Sequence, residues 1–218
     1  MPETVVLPGQ AGAVMTQRRG RPAPAHYGSV AAELAVCIAR VGLAVRSDLA
    51  VLSVAASRRG LDLLVARVVG QPLAAGGAVL EAGTWWCRSD DEVVVVCPWA
   101  RAARLRREVR RLTGGTLTDL SESRVVLGVV GRRAGAVLAD LGVFGPERDP
   151  RAVSPFSPVA VAGRDTWWLL EGATSALAIV DAAGAADVWR ALDAAGRPYG
   201  MGSVGLDSID RYVLVRGS

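Results

Sequence analysis

Hydrophobic positions along this chain switch between two periods, and the order of the switches occurs twice. Leu49 to Val54 reads as a buried strand, after which Leu61, Leu64, Val65 and Val68 recur at helical spacing within Leu61 to Val69. A loop from Pro72 to Gly77 leads to three short strands, Val79 to Glu81, Thr84 to Arg88 and Glu92 to Cys97, the last two joined by a Ser89-Asp90-Asp91 turn. A helix from Ala100 to Leu112 follows, with Ala102, Leu105, Val109 and Leu112 on one face and Arg101, Arg104, Arg107, Arg110 and Arg111 over the other. The plan then restarts. Strand Val125 to Val130 leads to helix Arg133 to Leu141, a Pro-rich loop from Pro146 to Pro158, strands Val159 to Ala162, Thr166 to Leu170 and Ala176 to Val180, and helix Ala185 to Ala195.

The most visible mark of the duplication is a tryptophan pair. Gly83-Thr84-Trp85-Trp86 is matched by Asp165-Thr166-Trp167-Trp168, each pair followed by a polar turn and an apolar strand. Double arginines at Arg58-Arg59 and Arg132-Arg133 open the helix of each copy. The copies lie about 75–80 residues apart, too long a period for a solenoid, so each copy is half of a domain. This predicts an α+β fold of two β-α-β-β-β-α halves, with pseudo-repeats at about 47–115 and 121–196 in a single domain over 1–218. Strand alternation places one ring of each tryptophan pair on each sheet face.

Flanking segments add an arm with turns over residues 1–28, including Pro8-Gly9 and Arg18 to Arg21. A helix capped by Ser29 follows, its apolar face Val30, Leu34, Cys37, Ile38 and Val41, closed by Gly42. Prolines 22 and 24 hold the preceding backbone extended. At the far end, Tyr212 to Val215 reads as a last strand.

Composition narrows the chemistry. With 51% hydrophobic and 21% charged residues, the chain has the make-up of a folded globular protein. No apolar run approaches the length of a membrane span, and no secretory signal precedes the first turns, so a cytoplasmic location is expected. Cys37, Cys87 and Cys97 are odd in number and lie in apolar patterns, as reduced core thiols do. A single histidine leaves no basis for a histidine metal site. The sequence contains no lysine, which excludes Schiff-base and pyridoxal phosphate chemistry. The net charge of +4 is all arginine, and neither an aromatic platform nor a nucleic-acid motif accompanies it.

Several stretches, taken in order, resemble one family. Pro24-Ala25-His26-Tyr27-Gly28, Glu33-Leu34-Ala35-Val36, Val41-Gly42-Leu43 and Arg46-Ser47-Asp48-Leu49 resemble the opening of the glycine-cleavage T-protein (aminomethyltransferase) folate-binding superfamily. Asp90 to Val95, Thr118 to Arg124 and Gly131 to Leu138 resemble the small gamma subunit of heterotetrameric sarcosine oxidase, and Gly196 to Asp207 is similar to the family's tail. The resemblance covers about residues 10–215 and lies in order and spacing rather than in one motif. It implies an aminomethyltransferase-like fold without the C-terminal barrel of longer relatives, and tetrahydrofolate bound between the halves for one-carbon transfer. The implied catalytic residues are Glu81, His26 and Tyr27, and the implied cofactor-binding residues are Trp85, Trp86, Trp168 and Tyr199. The family's paired carboxylates fall on Glu81 and Ala82, its pterin-clamping glutamate on Ala178, and its arginine-containing tail on Asp210-Arg211-Tyr212. Each lost charge-assisted hydrogen bond weakens binding by about 1.5–3 kcal/mol. Two alternatives stand beside folate chemistry. One is a repurposed, cofactor-free enzyme using His26, Glu81 or Tyr199 as acid or base on another small molecule. The other is a non-catalytic gamma-type subunit, with flavoenzyme subunits or a second copy of the chain as partner.

Overall fold

The structure, a computed structural model, describes residues 7, 10–18, 21–70, 73–89, 91–143, 154–156, 158–171 and 174–217. Pro8-Gly9, the tip of the Arg18–Arg21 turn, Asp90 and most of the Pro146–Pro158 loop lie outside the described residues. The first half comprises β3 (Val41–Val45), β4 (Leu49–Ala55), α2 (Arg58–Val69), β5 (Gly77–Glu81), β6 (Thr84–Arg88), β7 (Glu92–Pro98) and α3 (Trp99–Thr113). The second repeats it as β8 (Thr116–Asp119), β9 (Arg124–Val130), α4 (Ala134–Asp140), β11 (Pro158–Val161), β12 (Arg164–Leu170), β13 (Ser175–Asp181) and α5 (Ala185–Gly196). Around them lie the hairpin β1 (Val14–Arg18) and β2 (Arg21–His26), helix α1 (Val30–Ala39), the two-residue β10 (Ser154–Pro155), β14 (Met201–Ser203) and helix α6 (Leu206–Gly217). The duplicated β-α-β-β-β-α plan is present, and each copy gains a leading strand, β3 or β8.

Those leading strands are exchanged. The sheets run β10-β5-β6-β7-β4-β8 and β11-β12-β13-β9-β3-β14. Thus β3, from the first half, pairs antiparallel with β9 of the second, Gly42 opposite Val130. Reciprocally, β8 opens the second half yet pairs with β4 of the first, Ser53 opposite Thr118. Each sheet therefore contains backbone from both halves.

Side-chain alternation along the strands then builds four layers. On one face of the first sheet, Leu52, Val54, Trp86, Val93 and Val95 meet Leu61, Leu64 and Val65 of α2 and Leu105 and Val109 of α3. On the outer face of the second, Leu127, Val129, Trp168, Ala178 and Val180 meet Val137 and Leu138 of α4 and Val188, Trp189 and Leu192 of α5. Between the sheets, Val51, Trp85, Cys87, Val94 and Val96 pack on Val126, Leu169, Leu177 and Ile179. Each fully buried aliphatic side chain contributes about 1.5–3 kcal/mol, so the inter-sheet layer is a main hold between the halves.

Four sequence expectations differ from the structure. Tyr212 to Val215 is helical: Leu206, Ile209 and Tyr212 bury at three-residue spacing within α6, and this packing overrides the strand propensity of Tyr-Val-Leu-Val. Helix α1 stops at Ala39, and Val41 and Gly42 begin β3 instead of closing the helix. The buried residues of α1 are Glu33 and Cys37, while Ile38 is exposed. Residues 14–18 and 21–26 form a hairpin, in which Pro22 and Pro24 are compatible with extended strand backbone.

Candidate functional site

The inner face of the second sheet is longer than the first sheet can cover. Beyond it, Ala44 and Val130 pack instead under Cys37 of α1 and Leu206, Ile209 and Tyr212 of α6. Arg46, just after β3, occupies the seam. Its stem crosses Gly128, where a Cβ would stand 3.2 Å from Arg46 Cγ and push the stem aside by a few tenths of an ångström. The Arg46 guanidinium donates to both carboxylate oxygens of Asp48, at 2.9 and 2.8 Å. Burial alone would lower its pKa, but the Asp48 hydrogen bonds and charge outweigh that, with Glu171 and Asp210 adding to the rise. Arg46 is a fixed cation.

Three more elements reach the same seam. Glu171, at the end of β12, accepts a long hydrogen bond from Trp85 Nε1 of β6 at 3.5 Å and a second from the Ser175 hydroxyl at 2.9 Å. Asp210 and Asp207 on α6 both bind Arg18 of β1. Arg46 thus feels carboxylates from both halves and from α6: Asp48, Glu171 and Asp210. An excess of acceptors over cations favours a ligand edge rich in N–H donors.

The residues expected from the sequence are dispersed. Trp85 faces the inter-sheet layer at the seam, with its ring buried. Trp86 and Trp168 are buried in the two different helix–sheet layers, so they do not share a crevice with Trp85. Each pair does divide across its sheet, since Trp167 points inward and stacks with Phe156 at 4.6 Å. Glu81 is an exposed carboxylate at the β5–β6 turn. His26 Nδ1 accepts from the Gly28 N–H at 3.3 Å. The Tyr27 hydroxyl is buried with no partner among the described residues, and burial, then the Glu33 charge, pushes its pKa up to about 12. It is a neutral phenol, unsuited to act as a base near pH 7. Tyr199 donates to Asp140 at 2.7 Å on the surface. Asp119 binds Arg106, and Arg124 binds Asp181.

Ala178 has no access to the crevice. It is fully buried beneath the helices, and its neighbours Leu177 and Ile179 face the other sheet. Between the sheets, the described side chains are packed and largely apolar. At the seam there are both acceptors and a donor: the Glu171 and Asp48 carboxylates and the Trp85 indole N–H. The hydrogen-bonding groups that a pterin edge needs stand at the seam and not in the apolar interior.

Sequence reasoning passed over Arg46, Asp48 and Glu171 as site residues. The available signal was positional, since Arg46 and Asp48 stand in the resembling Arg46-Ser47-Asp48-Leu49 stretch and Glu171 follows the second tryptophan pair. It also passed over Glu33, buried in α1, whose carboxylate accepts from Tyr27 N at 2.6 Å, Gly205 N at 2.7 Å and the Ser208 hydroxyl at 2.9 Å. Glu33 anchors the loop after β2 and the start of α6, the helix that closes the seam.

Two cavities lie elsewhere, on the outer layers of the first half. One, of about 650 Å³, runs between α3 and β8. The other, of about 690 Å³, lies beside α2 and is bordered by Arg88, whose guanidinium reaches Asp62 at 3.4 Å. No helix among the described residues is long and apolar enough to cross a membrane.

No family profile matches the chain, and no curated protein matches it. Solved structures do. The glycine cleavage system aminomethyltransferase T of Bartonella henselae superposes with a TM-score of 0.69 at 22% identity, over 96% of this chain and 60% of that one. The present chain thus spans under two thirds of that enzyme. One chain of the heterotetrameric sarcosine oxidase of Corynebacterium sp. U-96 superposes with a TM-score of 0.61 at 23% identity, over 84% of this chain and 97% of that one. The strand-exchanged α+β architecture described above is therefore the T-protein-like fold shared with these two proteins.

Proposed function

We propose that this chain is a T-protein-like module that binds a flat, N–H-donating heterocycle of the folate type at the seam between its sheets. The observation that carries the reading is the convergence of Arg46 and Asp48 from the first half, Glu171 from the second and Asp210 from α6 on one partly covered rim. Glu171 and Asp48 would take the amino-pyrimidine edge, and Arg46 would hold their geometry. Bound tetrahydrofolate would supply the one-carbon carrier nitrogen. This chain's residues would orient the ring and restrict water around it. Buried, unpaired thiols at Cys37, Cys87 and Cys97 suit a reducing compartment, so the module is assigned to the cytoplasm.

Isothermal titration tests this reading. Tetrahydrofolate or 5-formyl-tetrahydrofolate should release heat with the parent chain and much less with Glu171→Gln. No heat with the parent at high micromolar protein removes the folate reading.

A second reading has its own support: a gamma-type subunit in a larger enzyme. The chain matches nearly the whole of the sarcosine oxidase chain and only part of the aminomethyltransferase. Val213, Leu214 and Val215 of α6 are also exposed, apolar surface of the kind that partners cover. Light scattering on the purified chain distinguishes the two, because a stable monomer that binds folate needs no partner.

A further inference from the structure

The groove between α3 and β8 lies on an outer layer, apart from the seam, and no step proposed above uses it. Three observations define what would fill it. First, β8 ends its sheet, pairing with β4 alone among the described strands. Leu120 N donates to Val51 O, so Thr118 and Thr116 also turn their backbone groups toward β4. By alternation, the N–H and C=O groups of Leu117 and Asp119 face outward. Second, α3 overhangs that edge with cations. Arg107 and Arg110 line the groove, are exposed, and make no ion pair among the described residues, while Arg106 holds only Asp119, at 3.3 Å. Third, the groove of about 650 Å³ has an apolar floor made by Ala102, Leu117 and the half-buried ring of Trp99.

We infer that this groove receives an extended acidic segment of a partner protein, added as a further strand on β8. Backbone hydrogen bonds to Leu117 and Asp119 would set its register. Acidic side chains on the helix-facing side would meet Arg107 and Arg110, and would compete with Asp119 for Arg106. Strand addition explains why an unpaired edge and an arginine row coincide, since such binding draws affinity from the main chain and selectivity from alternate side chains. A nucleic acid fits less well. The one aromatic ring at the groove is already covered, by the Arg21 guanidinium at 3.6 Å from its centroid, so no open stacking platform remains.

The test uses the full chain and a fluorescein-labelled peptide alternating glutamate with valine, followed by anisotropy. The peptide should bind the parent chain, weaken as ionic strength rises, and bind at least about tenfold more weakly to Arg107→Glu/Arg110→Glu. Both substitutions sit on the solvent face of α3, so folding, checked by circular dichroism, should be unchanged. Of two versions of the peptide, N-methylated at the glutamate amides or at the valine amides, each keeps its charge, and the one that loses the donors facing β8 should bind at least about tenfold more weakly. Absence of peptide binding, indifference to the charge reversals, or indifference to both N-methylations would each overturn the inference. So would tighter binding of a single-stranded oligonucleotide than of the peptide.

Discussion

The indole Nε1 of Trp85 and the carboxylate of Glu171 stand 3.5 Å apart, one on the sheet of the first half and the other at the end of β12 in the second. The pair ties the rim of one sheet to the other where Arg46 and Asp48 also meet. At that length the bond contributes little by itself. Glu171 is therefore available to a better donor, which the proposed ligand would bring.

Substitution at this pair should separate binding from stability. Glu171→Gln keeps the bond to Ser175 and should cost the fold about 1 kcal/mol or less, while weakening tetrahydrofolate binding about tenfold or more. Urea unfolding and calorimetric titration read the two effects. Trp86→Phe should behave in the opposite way, lowering stability by packing loss with binding unchanged, since Trp86 lies in the α2–α3 layer.

Glu33 should be a stability residue of unusual weight. Glu33→Ala leaves two backbone N–H groups and the Ser208 hydroxyl without their acceptor. The expected loss is about 3 kcal/mol or more, visible as a lower urea midpoint. Glu33→Gln should recover part of it. Full stability of Glu33→Ala would mean that the start of α6 is held by other contacts.

Gly131 should tolerate no side chain. Its φ is +132°, and an added Cβ would lie 2.7 Å from Arg40 O and 2.8 Å from Cys37 O, where α1 ends against the turn after β9. Gly131→Ala should destabilise by about 3 kcal/mol or more, or prevent soluble expression. Gly163→Ala, at a β11–β12 turn with nothing within 4 Å, should cost only about 1 kcal/mol of backbone strain.

Alkali should unfold the chain early. Burial, then the Glu33 charge, raises the Cys37 thiol to about 12, burial raises Cys97 to about 11, and the fully buried Cys87 thiol also rises. Tyr27 rises to about 12. In the folded state these groups keep protons that the unfolded chain releases from about pH 9 upward. Stability is therefore undiminished below that pH and falls between about pH 9 and 12, by up to ~1.4 kcal/mol per pH unit for each group in its window. Denaturant midpoints across pH 7–11 check this. In the same spirit, all three thiols should resist a thiol reagent at pH 8 until denaturant is added.

Local chemistry made much of this molecule legible. The tryptophan pairs, the polar turns after them and the helical spacing of Leu61, Leu64 and Val65 or Ala102, Leu105 and Val109 depend on neighbours a few residues away, and they imply a duplicated α+β plan. The elements that local pattern did not reveal are β3, β8 and α6. Val41 and Gly42 follow a helix without a break and read as its end, and Thr116 to Asp119 is too short and polar to announce a strand. Both are strands because backbone about 60–90 residues distant in sequence offers them an edge.

The sequence by itself determined the repeat, the division of each tryptophan pair across its sheet, and the absence of lysine chemistry, because these follow from residue type and period. Only the tertiary structure decided that the leading strands change places. It also decided that Trp86, Trp168 and Ala178 lie under helices, and that Arg46, Asp48, Glu171 and Asp210 meet at one seam. Residues so far apart in the chain become neighbours through sheet pairing and layer packing, which are settled by what each surface finds to bury against.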